Sequence, residues 1–282
     1  MKIRQLGWFG MVILGFCWGS LQASSEEIIQ NIPYYEAETM GSGDREYRSE
    51  RCLLDIYVPD KQLEEKLPVL VWFHGGGLSG GGKHFPALLK QQGFLIVAVN
   101  YRLSPRAQCP DYLEDAAASI AWTFRNIAKY GGNPEKIYVS GHSAGGYLTA
   151  MVAMDPRYLA KWEIANTDLA GAFPISGQMA THFQIINERR GTKGGGPYNP
   201  IVVDEYAPLY HTNQKLPPMY LYVGDTKLEW KARVEENALL AAMMKLPAGH
   251  NVVEYYSFEG TNHGTVAEPA QKHLRKVIQE NR

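Results

Sequence analysis

Residues 137–146 read Ile137-Tyr138-Val139-Ser140-Gly141-His142-Ser143-Ala144-Gly145-Gly146, and this stretch decides the fold. Ile137-Tyr138-Val139 is a short apolar run of the kind that forms a strand buried on both faces. Tyr147 to Met154 has a helical pattern that stops at Asp155-Pro156. Between the two lies a Gly-x-Ser-x-Gly, from Gly141 to Gly145. A serine hydroxyl is a weak nucleophile until it is exposed, oriented and given a base. A tight strand-to-helix turn exposes it, and glycines flank it because a side chain there would strike neighbouring backbone. The first N–H groups of the following helix face any negative charge that develops beside Ser143. The bare pattern recurs by chance, and a Gly-rich turn with a surface serine would carry it too. The strand before it and the helix after it set this copy apart.

The same alternation runs outward in both directions. Cys52 to Val58, Val69 to Phe73, Phe94 to Val99, Ala172 to Ile175, Met219 to Val223 and Val252 to Phe258 read as further strands. Helical patterns lie between them. Tyr112, Ala116, Ile120, Phe124 and Ile127 recur every three or four residues before Gly131-Gly132, and Trp230–Lys245 and Glu268–Gln279 follow later. Strands alternating with helices predict an α/β fold with a mostly parallel sheet covered on both faces. Chemistry in such sheets sits in loops after the carboxyl ends of strands.

Three such loops carry candidate residues. His74-Gly75-Gly76-Gly77 follows the strand Val69–Phe73. Main-chain N–H groups reach an oxyanion only where no side chain crowds the approach, and a glycine run provides that opening. Gly75 and Gly76 are the candidate donors, with Gly77 a near alternative and the N–H of Ala144 completing the hole. One donor of this kind lowers a barrier by roughly 3–4 kcal/mol. His263, in Gly260-Thr261-Asn262-His263-Gly264, follows the last strand and is the candidate base. His250 precedes that strand and His273 falls inside the final helix. The order nucleophile, acid, histidine puts the acid after Met219–Val223. Asp225 is the first carboxylate there and the expected one, and Glu229 is its rival.

The pairing of His74-Gly75-Gly76-Gly77 with Gly141-His142-Ser143-Ala144-Gly145-Gly146 resembles the hormone-sensitive-lipase-like and kynurenine-formamidase-like carboxylesterases of the α/β-hydrolase superfamily. Asn100-Tyr101-Arg102-Leu103-Ser104-Pro105 and Asp115 are similar to segments of that group as well. The likeness covers roughly residues 50 to 270. It implies an α/β-hydrolase fold and ester or amide hydrolysis through an acyl-enzyme, with no metal and no cofactor. In such relatives the acid often stands about three residues beyond a glycine equivalent to Gly224, and that position here is Lys227.

The remaining features narrow the setting. The chain has 282 residues, 45% of them apolar, and a formal net charge of −1, which suits one globular domain over residues 24–282 and gives no reason to expect nucleic acid. Lys2 and Arg4 precede a charge-free run from Leu6 to Trp18, and small residues follow at Ser20 and Ala23. This predicts an export signal over residues 1–23, hence a secreted or periplasmic protein with no stable membrane insertion, a retained anchor being the alternative. Cys52 and Cys109 then form one disulfide or stay as two thiols. Residues 177–216, with Gly194-Gly195-Gly196, Pro197 and Pro200, break the alternation and read as an insert or lid. The expected substrate is a small ester. An arylformamidase is the nearest alternative, and a non-catalytic binding protein on the same fold is one of another class.

Overall fold

The computed structural model describes residues 26–36, 45–59, 65–192, 200–245 and 252–282. The candidate export signal over residues 1–23, His250, and residues 193–199 of the candidate insert lie outside these. In chain order the elements are β1 (Glu27–Pro33), α1 (Arg45–Arg51), β2 (Leu53–Val58), β3 (Leu67–Phe73), β4 (Leu95–Val99), α2 (Asp111–Asn126), β5 (Gly132–His142), α3 (Ala144–Met154), α4 (Pro156–Ala160), β6 (Gly171–Ile175), α5 (Phe183–Arg190), β7 (Met219–Val223), α6 (Lys231–Met244), β8 (Val253–Ser257) and α7 (Ala267–Glu280).

All seven residues of β3 are buried, because it lies inside the sheet with β4 on one side and β5 on the other. The sheet runs β1-β2-β4-β3-β5-β6-β7-β8. Every pairing from β4 through β8 is parallel, whereas β2 runs antiparallel to both its neighbours, β1 and β4. Side chains alternate between the faces of a strand. Val69, Val71 and Phe73 of β3 therefore join one apolar cluster with residues of α2 and α3. Leu70 and Trp72 join the other with Ala270, Leu274 and Ile278 of α7. Helices thus cover both faces, as the alternation in the sequence predicts.

The elements that sequence periodicity did not supply are short, exposed or charged. β1 alternates between exposed and half-buried residues at the sheet edge and carries Glu27, Gln30 and Asn31. α1 buries only Tyr47 among seven mostly charged residues. Inside residues 177–216 the structure forms α5, which buries Ile185, Ile186 and Asn187. Cys52 and Cys109 are both free thiols. No described helix is long and apolar enough to cross a membrane.

Candidate active site

The turn between β5 and α3 holds Ser143 with φ 60° and ψ −117°, a strained conformation for a side-chain-bearing residue. Its N–H donates to Ile175 O at 2.8 Å, which anchors the turn to the end of β6. Gly145 has to be glycine: a Cβ there would lie 2.1 Å from Phe73 O at the end of β3. Close backbone contact is what allows the turn to be this tight. Beside it, a Cβ on Gly75 would sit 3.4 Å from Ser143 Cβ, so the expected glycine loop runs along Ser143. As the first residue of α3, Ala144 has an N–H with no partner inside the helix. Gly76 follows at φ +115°, a region that favours glycine.

The glycine loop is held from behind. Tyr101 OH donates to His74 O at 2.8 Å, and its ring stacks on the His74 imidazole with centroids 4.3 Å apart. Burial above all lowers the His74 pKa to about 4, so the ring is neutral. Its Nδ1 lies 2.6 Å from Gly75 O, to which it donates. Arg102 makes two 2.8 Å bonds to the buried carboxylate of Asp115. The sequence segment around Tyr101, Arg102 and Asp115 is thus a buttress for the loop.

His263 lies in the turn after β8, with Nε2 2.9 Å from Ser143 Oγ. Its Nδ1 is 3.2 Å from Glu229 Oε2. The expectation that Asp225 would face this ring is not met. Asp225 accepts the N–H of Lys227 and of Gly260, each at 2.8 Å, and these bonds hold its carboxyl below the usual carboxylate range. Its carbonyl accepts the N–H of Leu228 and Glu229 at 3.0 and 2.8 Å. That turn carries residue 229, not residue 225, back over the end of the sheet. The Glu229 side chain is fully buried. Burial raises its pKa, but bonds with His263 and Ser176 and the charges of His263 and Arg233 outweigh it and hold it at about 2.

Three further residues, none assigned a role from the sequence, complete the constellation. Ser176, just past β6 at φ 49°, donates to Glu229 Oε2 and lies 3.2 Å from His263 Nδ1. Arg233, one helical turn beyond Glu229, places Nη1 3.3 Å from Glu229 Oε1 and 2.8 Å from His263 Nδ1. His142, the variable residue before Ser143, has Nε2 2.6 Å from the carbonyl of His263. Burial first, then the charges of His263 and Arg233, lower the His142 pKa to about 4. It is therefore a neutral donor. From the 177–216 segment, Phe183 reaches the glycine loop: its Cζ would be 3.3 Å from a Cβ on Gly77. Among the described residues, no group of three His, Cys, Asp or Glu is arranged to hold a metal ion.

This sheet, and the loops that converge on Ser143, define an α/β-hydrolase fold. More particularly, a family model described as BD-FAE matches residues 54–172. Esterase LipQ of Mycobacterium tuberculosis is 29% identical over 254 residues, covering 83% of this chain and 56% of that protein. Carboxylesterase 1F of Mus musculus is 34% identical over 161 residues, covering 52% of this chain and 28% of that one. The chain thus spans about half the length, or less, of these curated relatives. Thermogutta terrifontis esterase 2, solved after phosphoramylation by tabun, superposes with TM-score 0.66 at 24% identity, covering 90% of this chain and 94% of its own.

Proposed function

We propose that this protein hydrolyses carboxylic esters of small acyl groups through an acyl-enzyme on Ser143. The observation that carries the reading is the line Ser143 Oγ, His263 Nε2, His263 Nδ1, Glu229 Oε2, with steps of 2.9 and 3.2 Å. Ser143 attacks the ester carbonyl as His263 takes its proton. Glu229, already ionised, stabilises the imidazolium that forms. The oxyanion is met by the N–H groups of Gly75, Gly76 and Ala144. His263 then passes its proton to the departing alkoxide, and water repeats the sequence to free the acid.

Short acyl chains are favoured by the rim of the site. Phe183 narrows the space beside Gly77, and α5 ends in the charged residues Glu188, Arg189 and Arg190. The names of these relatives, esterase and carboxylesterase, support an ester over an amide. We also place the enzyme outside the cytoplasm, on the pattern of Lys2, Arg4 and Leu6 to Trp18. A fluorophosphonate probe should label the protein at Ser143, and nitrophenyl esters should turn over faster the shorter their acyl chain. N-formylkynurenine and acetylated xylan belong in the same panel. Absence of labelling, or a preference for N-formylkynurenine over every ester, defeats the reading.

A further inference from the structure

Gly80-Gly81-Gly82 is a second glycine run, close behind the first, and the mechanism leaves it without a task. It folds back on the first. The N–H groups of Ser79 and Gly80 donate to Gly76 O at 3.1 and 3.0 Å, and a Cβ on Gly76 would lie 2.2 Å from Gly80 O. Gly81, at φ +95°, rests on the Gly75 carbonyl: a Cβ there would lie 2.4 Å from Gly75 O and 2.5 Å from His74 Nδ1. Only a glycine fits between them.

The need for this packing follows from the first run. Open access to an oxyanion takes glycine on both sides of the peptide that joins Gly75 to Gly76. Glycine also accepts φ of either sign, so nothing within that peptide keeps it from turning over. In a planar trans peptide the C=O and the following N–H point in opposite directions. Turned over, this one would present a carbonyl oxygen where the mechanism needs the Gly76 N–H, and would repel the oxyanion. Its orientation therefore has to be held through Gly75 O. That oxygen meets His74 Nδ1 at 2.6 Å and the main chain of Gly81. Among the described residues no acceptor meets the N–H of Gly75 or Gly76, so both stay available to a ligand.

Gly81 is held in turn by Arg51, the last residue of α1. Arg51 Nη2 donates to Gly81 O and its Nε to Tyr101 O, each at 3.2 Å. Nη2 also passes 3.5 Å from His74 Nε2. Tyr101 is a fixed point just past β4. It is buried, its hydroxyl bonds His74 O, and the N–H of Arg102 beside it donates to Asp115 at 2.9 Å. A guanidinium carries its donors in a rigid fork, so it sets two carbonyls from different loops at one spacing. None of these bonds reaches Ser143 or His263.

We propose that Arg51 is a positioning residue: by tying Gly81 to the chain beyond β4, it keeps the peptide between Gly75 and Gly76 from turning over and so keeps the Gly76 N–H presented to the oxyanion. The proposal rests on the reading of Ser143 as nucleophile and Gly76 as oxyanion donor. Attack on the ester and release of the acid both pass through an oxyanion, so the effect belongs in kcat and not in KM.

On a short nitrophenyl ester, Arg51→Met should lower kcat about ten- to a hundredfold with KM within about twofold. The loss falls short of the roughly 10²- to 10³-fold of a whole donor, because His74 still holds Gly75 O. A short trifluoromethyl ketone reports the oxyanion directly. Ser143 Oγ adds to its carbonyl carbon, the carbonyl electron pair moves to oxygen, and the hydroxyl proton passes to His263. Its Ki should rise by the factor by which kcat falls. Arg51→Lys keeps the charge but not the fork, and should recover only part of kcat. An unchanged kcat in Arg51→Met overturns the proposal, as does a loss confined to KM or an unchanged Ki. Full recovery with lysine also overturns it, since charge alone would then be the cause. If Arg51→Met fails to fold, Arg51→Lys decides alone: a severalfold lower kcat at constant KM supports the proposal, and wild-type kinetics overturn it. Fluorophosphonate labelling of the wild type at Ser143 separates failure of this proposal from failure of the catalytic reading.

Discussion

The Ser143 side of the site is built from main chain and the His263 side from side chains. Around Ser143, position follows from where backbone can approach backbone: Gly145 against Phe73 O, Gly75 against His142 O, and Ser143 N–H on Ile175 O. Around His263, position follows from a cluster of polar side chains, Glu229, Ser176 and Arg233, that share one ring nitrogen. The first kind of order is local and leaves a motif. The second depends on which of several neighbouring groups a turn carries inward.

Experiments can break this contrast, beginning with the largest effect. Ser143→Ala should lower kcat by about 10⁴-fold or more, as removal of the serine from a triad does elsewhere, with the melting temperature unchanged. Glu229→Gln should cost about 10²- to 10⁴-fold in kcat, whereas Asp225→Asn should leave kcat within about twofold. Equal losses at the two positions would erase the distinction between them. Gly145→Ala tests the backbone side by itself. A methyl 2.1 Å from Phe73 O cannot be accommodated without moving β3, so stability to urea should fall by more than about 3 kcal/mol. Ser176→Ala removes one bond to a buried carboxylate, a loss of about 1.5–3 kcal/mol. If the bond matters equally in the transition state, kcat falls about tenfold or more.

The smallest effect concerns pH. The Glu229 carboxyl is held at about 2 against 4.5 in a free side chain. A depressed carboxylate stabilises the fold when ionised. Its contribution is complete above about pH 4.5 and is lost as pH falls toward 2. Acid unfolding of the wild type should therefore steepen below pH 4.5, and Glu229→Gln should flatten that limb. Equal steepness in both would show that other carboxylates govern it.

The strands of the parallel sheet were legible because each is an apolar run between turn signals. β1 was not, since an edge strand with Glu27, Gln30 and Asn31 buries too little to show a pattern. The Gly-x-Ser-x-Gly and the glycine loop were legible because their chemistry needs glycine, and glycine is conspicuous in a sequence. His263 was found by its place after the last strand. Asp225 was expected in place of Glu229 because chain order ranks carboxylates by position along a loop. Which one turns inward depends on the two N–H groups that its own carbonyl accepts. Asp225 instead ties its loop to the His263 loop through Gly260. Ser176 and Arg233 belong to no motif. They are recognisable only once β6 and α6 are seen to deliver them to one nitrogen.

The bond from His142 to the carbonyl of His263 joins segments 121 residues apart in the chain. It makes the spacing of Ser143 and His263 a property of the turn before α3, not of the C-terminal loop alone. On warming, the loop after β8 cannot drift away from Ser143 while that latch holds. Thermal inactivation should therefore coincide with melting of the sheet, and a His142→Ala enzyme should go silent several degrees before it unfolds.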